Sequence, residues 1–230
     1  VTPVPVIGDF AGGSMYLVVG VLAALIARGP TGRGQVVDAA MVDGAAHLFT
    51  MVHGLLGTGA WRDEREANLL DGGAPFYAVY ECADGKFVAV GALEPEFWAE
   101  LVTGLGIDLP GEQYDPGTWE AQRAAFAAAF RTRSRDEWAE HFEGTDACVA
   151  PVLSLREAPT HPHAVGRGSF VTDVNGHPVP RPTPRLSDTP LRDPGPEPVP
   201  GADTRAYLLA HGFGADEVEA LITSGAVVQA

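Results

Sequence analysis

The sequence predicts a mixed α/β protein in which an apolar helical part leads into a smaller α+β unit. Three observations carry this expectation. Residues 13–57 hold two long apolar stretches with few charges. The period then changes to short β-rich runs joined by Ala83-Asp84-Gly85, and Asp-Gly between such runs is a strong hairpin signal. Nine of the nineteen prolines fall between Pro178 and Pro200, which marks an extended surface strap. At 230 residues the chain is long enough to bury a substantial core in one large or two small domains.

The first helix is expected from about Gly13 to Arg28, stopping in GPTGRG, where glycines and a proline break it. Being apolar almost all round, it needs other elements about it. The run Met15 to Ala27 is shorter than the roughly 20 apolar residues of a membrane span, and no basic region precedes it, so the expectation is a buried helix. QVVDAAM reads as a short strand, and Asp43 as the cap of a second helix through HLFTMVHGLLGTG. WRDEREANLLDGG is a charged connector with Gly72 and Gly73 as its hinge.

FYAVYEC and KFVAVGA then form the hairpin, and Leu93-Glu94-Pro95 ends its second strand. Pro95 suits the first position of a helix, EFWAELVTGLG, closed by Gly104 or Gly106. A further helix is expected over 118–131, and Ser134 with Glu137 makes a capping box for DEWAEHFE. CVAPVL and SFVTDV read as strands, the latter turning at Asn175-Gly176. Two short amphipathic helices close the chain, the second begun by Asp216 or its neighbour. The expected domain boundaries are 1–72, 73–180 and 181–230.

With 30 acidic against 15 basic residues, the surface as a whole is unsuited to nucleic acid or anionic membrane, which need basic patches. An anionic ligand must find local basic groups. Cys82 and Cys148 are too few for a disulfide framework and lack metal-ligand spacing, so a reducing compartment, the cytoplasm, is expected. His161 with His163, and His47 with His53, fall short of metal-ligand spacings, so no metal is expected. GDFAGG and GPTGRG lack the pattern and the lysine of a phosphate loop, and no GxSxG elbow supports nucleophilic hydrolysis.

Two carboxylates remain. Asp9 precedes the predicted helix, where its plainest role is an N-terminal cap or loop turn. Glu94 sits beside Pro95 at a strand end, where a negative charge at a helix N-terminus is favoured by the dipole. Neither position alone compels a chemical role.

The stretches VIGDFAGGSMYLVVGVLAALIARGPTGRGQVVDAAMVDG, NLLDGGAPFYAVYECADGKFVAVGALEPEFW and DACVAPVLSLREAPTHPH resemble the α-methylacyl-CoA racemase group of the class III CoA-transferase family. The resemblance extends through the strap to the closing helices. It implies a partial large α/β domain, a small α+β domain, a strap returning to the large domain, and an interlocked homodimer in the complete protein. It further implies an enzyme of lipid metabolism that inverts the carbon next to a CoA thioester by removing its proton and returning it on the opposite face. The thioester is the substrate and no cofactor is required.

Three side chains carry that work in the family: a histidine, the aspartate of the GDF segment and the glutamate of the EP segment. Asp9 and Glu94 match the last two. The resemblance implies Asp9 on one face of the substrate and a histidine, held by Glu94, on the other, with backbone N–H groups stabilising the enolate. Tyr77 and Leu93 are the implied lining of the acyl side. Only eight residues precede Asp9 and none is histidine. On that reading the chain is a C-terminal part, lacking most CoA contacts and catalytically incomplete alone; its start without methionine is read as a mature or excised piece. Two rivals are a class III CoA-transferase, whose nucleophilic aspartate would also lie upstream, and a non-catalytic interaction module built on the hairpin unit.

Overall fold

The computed structural model describes residues 4–230, and internal contacts divide it after Val152 into two units. The boundaries expected from the sequence fall after residues 72 and 180. Each unit is described by itself.

The first unit opens with Val6–Met15, wound as a wide helix with i→i+5 bonds such as Phe10 N–H to the Pro5 carbonyl at 3.2 Å. It runs straight into α1, Tyr16–Thr31. Helical backbone therefore begins well before Gly13. Pro30 does not end α1, because it lies in the last turn, where Gly32 at φ 68° closes the helix and donates to the Arg28 carbonyl at 2.8 Å. The joined segment, Val6–Thr31, has 26 residues. The length argument against a membrane span consequently fails: by length and composition this one helix suffices to cross a bilayer.

Part of its surface is nevertheless spent on protein packing. α2, Met41–Leu48, crosses the wide segment where both backbones are bare glycine. A Cβ at Gly44 would overlap the Gly12 carbonyl, and one at Gly12 would lie 2.8 Å from the Ala45 nitrogen. The Tyr16 hydroxyl and His47 Nδ1, 2.6 Å apart, fasten the crossing a turn further on. α3, Thr50–Gly57, follows after a break at Phe49, so the second helix is two short ones. Asp43 lies in the first turn of α2 and Ala40 is the cap residue. QVVDAAM forms no strand; residues 32–40 are irregular, since a lone β-prone run has no ladder to join. The expected burial of α1 is not supplied either. Among the described residues it buries none, and Leu17, Val21 and Leu25 stand exposed.

The hairpin forms as expected, β1 Tyr77–Glu81 and β2 Phe87–Gly91, with Gly85 at φ 73° making the turn. β3, Val149–Val152, adds to β2, giving an antiparallel sheet in the order β1-β2-β3 with Tyr77 opposite Gly91 and Val88 opposite Pro151. Between β2 and β3 come α4 Pro95–Leu105, α5 Trp119–Phe130 and α6 Arg135–His141. The Ser134–Glu137 capping box begins α6, with Glu137 accepting from Ser134 N–H at 2.8 Å. One sheet face carries the core: Tyr80, Val88 and Val90 are buried with Phe126, Phe130 and Trp138. Tyr80 stacks on Phe130 at 5.2 Å and donates to the Pro75 carbonyl at 2.5 Å, and burial pushes its hydroxyl pKa well up. On the other face Tyr77, Val79, Phe87 and Val152 remain open.

The second unit holds a 3₁₀ turn at Ala158–Thr160, α7 Pro162–Arg167, and a hairpin of β4 Phe170–Thr172 with β5 Pro178–Pro180, which turns at Asn175-Gly176. The strap beyond it is extended, as its prolines dictate, and Arg181 grips Asp193 at 3.0 Å. α8 Thr204–Ala210 and α9 Ala215–Thr223 end the chain, tied by an Arg205–Glu219 ion pair.

Candidate active site

Glu94 is placed by a tight change of direction. After β2, Leu93 N–H donates back to the Gly91 carbonyl at 2.9 Å, and the chain then enters α4 with Glu94 as the cap residue in extended backbone and Pro95 at the first helical position. The Glu94 carbonyl accepts from Trp98 N–H at 3.0 Å, which starts the helix, but its side chain makes no capping bond. The carboxylate is exposed and makes no hydrogen bond or ion pair among the described residues, so the plain capping role does not occupy it.

Asp9 lies within the wide helix, four residues past the Pro5 cap, so it neither precedes the helix nor caps it. Its carbonyl accepts from Ser14 Oγ at 3.0 Å, while its carboxylate is exposed and makes no hydrogen bond or ion pair among the described residues. Wide helical turns occur often at functional sites. Here the wide winding carries Asp9 just ahead of Gly12, where α2 crosses. No hydrogen bond or ion pair joins Asp9 to Glu94.

A cleft of about 740 Å³ lies on the open sheet face. Tyr77, Val79, Gly91 and Ala150 form its floor, the connector supplies Asp71 and Gly72, and Arg123 and Cys148 complete the walls. Tyr77 thus lines a cavity; Leu93 instead packs half-buried against the core, outside this lining. Cys148 links the cleft to Glu94: its thiol pKa is pushed up by burial first, and then by the negative charge of Glu94, with Asp146 and Glu100 adding to it. Both cysteines are free thiols, Cys82 buried and Cys148 exposed.

The connector wall is densely hydrogen-bonded. Asp71 accepts from the N–H groups of Ala67, Asn68 and Gly73 and from Asn68 Nδ2, at 2.8–3.2 Å. Arg123 Nη2 donates to the carbonyls of Gly72 and Gly73 at 2.5 and 2.7 Å. Gly72 at φ 93° requires a residue without a Cβ, but the glycine pair read as a hinge is clamped from both sides. Neither this clamp nor Gln113, a buried amide that donates to the backbone ahead of Glu94, carries a signal in the sequence. Among the described residues no three histidine, cysteine or acidic side chains come together as metal ligands.

An antiparallel sheet backed by helices on one face, with a cleft on the other, defines a mixed α/β fold. The chain belongs to CoA-transferase family III, whose profile matches residues 1–204. Over 224 residues, 94% of this chain, it is 42% identical to an alpha-methylacyl-CoA racemase of Mus musculus and 41% identical to one of Homo sapiens, covering 58% and 57% of those proteins. The chain thus spans a little over half the length of these curated relatives. A CAIB/BAIF family protein from Brucella suis shares the fold, with a TM-score of 0.59 and 24% identity over 86% of this chain and 53% of that one.

Proposed function

We propose that the complete protein interconverts (R)- and (S)-2-methylacyl-CoA thioesters by removing the α-proton and returning it through an enolate. The carrying observation is the identity to named racemases across 94% of this chain. The chemistry calls for two proton carriers on opposite faces, because the proton beside a thioester is only weakly acidic and inversion needs a base and an acid at once. Asp9 serves one face. A histidine outside this chain serves the other, held by Glu94, and backbone N–H groups stabilise the enolate oxygen. Tyr77 and Leu93 border the acyl side, and the site forms between two copies in a cytoplasmic homodimer whose only small molecule is the acyl-CoA itself. Cover for α1 is protein in this reading, not lipid, which the glycine crossing and the Tyr16–His47 bond support.

Family III takes its name from CoA-transferases, so the second reading is CoA transfer between carboxylic acids through a covalent aspartyl intermediate. One experiment separates the two. In a chain of the relatives' full length, deuterium from solvent should enter the α-carbon of a 2-methylacyl-CoA, and Asp9→Ala should lose more than about 100-fold in kcat with KM little changed, as for a group acting in the transition state. CoA exchange with a free carboxylate and no α-deuteration would replace racemase by transferase.

A further inference from the structure

The backbone that presents Glu94 is gripped by side chains twenty residues further along. Gln113 lies in the loop between α4 and α5 and is 5% exposed. Its Nε2 donates to the Ala92 carbonyl at 3.1 Å and to the Leu93 carbonyl at 2.8 Å. Both partners are acceptors, so the orientation of the amide is fixed by chemistry: turned over, it would set oxygen against oxygen. The Tyr114 hydroxyl donates to the same Leu93 carbonyl, and Trp119 Nε1 holds the Gln113 carbonyl at 2.9 Å. The Leu93 carbonyl belongs to the peptide that carries the Glu94 nitrogen. Glu94 is therefore fixed upstream by Gln113 and Tyr114 and downstream by the first bond of α4, while its carboxylate stays unbonded. A carboxylate that orients another catalytic group must be held to within about 0.5 Å, and the part of that placement this chain supplies for Glu94 is a fixed backbone from which the side chain starts.

We propose that Gln113, assisted by Tyr114, is a positioning pair for Glu94, setting the direction in which the carboxylate is presented. Its functional consequence rests on the reading that Glu94 orients the second proton carrier.

The exposed Cys148 thiol reports on the placement directly, because it feels the charge of Glu94 while Cys82 is buried. In the 230-residue chain, Glu94→Gln should lower the pH at which Cys148 reacts with a thiol reagent, and Gln113→Met should shrink that shift by half or more. A shift of full size in the Gln113→Met background overturns the proposal. In a chain of the relatives' length, Gln113→Met should lower kcat for α-proton exchange about tenfold with KM within about twofold, the loss usual for partners of catalytic groups. It should add nothing on a Glu94→Gln background, and an equal loss there would show general damage and refute the pairing. If Gln113→Met fails to fold, Tyr114→Phe removes one donor from an exposed ring and should lower kcat about threefold, a fraction of that loss; unchanged kcat counts against the pair. Should the parent protein show no α-proton exchange, the functional reading falls, and the thiol comparison alone decides on the positioning.

Discussion

Among the described residues Asp71 has four donors and no cation, which makes it the clearest single-residue test of how the cleft wall is held. Burial would raise its pKa, but the bonds from Asn68, Gly73 and Ala67 outweigh that and hold the carboxyl below the usual carboxylate range. The sign follows: a depressed folded value contributes stability above the unfolded value of about 4, and that contribution is lost as pH falls through the folded value. Asp71→Asn should cost about 1–3 kcal/mol at pH 7 by leaving N–H groups unpaired. It should also flatten the acid limb below about pH 4, read by urea unfolding; parallel acid limbs for the two proteins would deny Asp71 this role. The sequence places Asp71 only within the charged connector ahead of the Gly72-Gly73 hinge, because the pattern DGG names a turn and does not say what fills it. Glu94 was easier, since Pro95 can sit at a helix start and so fixes where the strand ends. Gln113 was invisible: its partners are backbone carbonyls about twenty positions away, and no periodicity marks a polar residue in a loop as buried.

At the scale of elements, the sequence was legible wherever local chemistry settles the matter. Asp84-Gly85, Pro95 with Gly106, and Ser134 with Glu137 each specify a turn or helix end within a few residues, and all three stand where expected. It misled where the outcome depends on a distant partner. QVVDAAM has strand propensity but meets no strand, and the first helix starts early because Gly8, Gly12 and Gly13 accept a wide winding that helix rules do not describe. Gly12 and Gly44 were signals passed over: two bare backbones allow a helix crossing no other residue permits. Gly44→Ala should cost about 1–3 kcal/mol, because the new methyl overlaps the Gly12 carbonyl and the helices must part. Gly54→Ala, with open space around it, should be neutral or stabilising by up to about 1 kcal/mol. Thermal unfolding of the two variants compares them directly, and equal melting temperatures would show that the crossing is not close-packed.

For the whole molecule, the decisive fact is the apolar surface that this chain leaves open. Leu17, Val21, Leu25, Leu48 and Met51 are all more than 40% exposed, along helices that also carry Asp9. Exposed apolar area of this kind, spread over α1, α2 and α3, is characteristic of an interface. The open face of the β1-β2-β3 sheet, with Tyr77 in its cleft, is a second such surface within the same unit. A homodimer in which the helices of one copy and the sheet unit of the other share a site would set Asp9 of one chain against Glu94 of its partner across the thioester. Complementation tests this in a chain of the relatives' length. Asp9→Ala and Glu94→Ala proteins, each nearly inactive alone, are mixed under conditions of subunit exchange. In a heterodimer with shared sites, one site carries both lesions and the other carries neither. With random exchange of equal amounts, half the dimers are heterodimers and each has one intact site of two, so about a quarter of the parent activity should return. If exchange is verified by a tagged subunit and no activity returns, both carboxylates belong to a site within one chain, and the apolar helices must be covered without bringing Glu94 of a partner to Asp9.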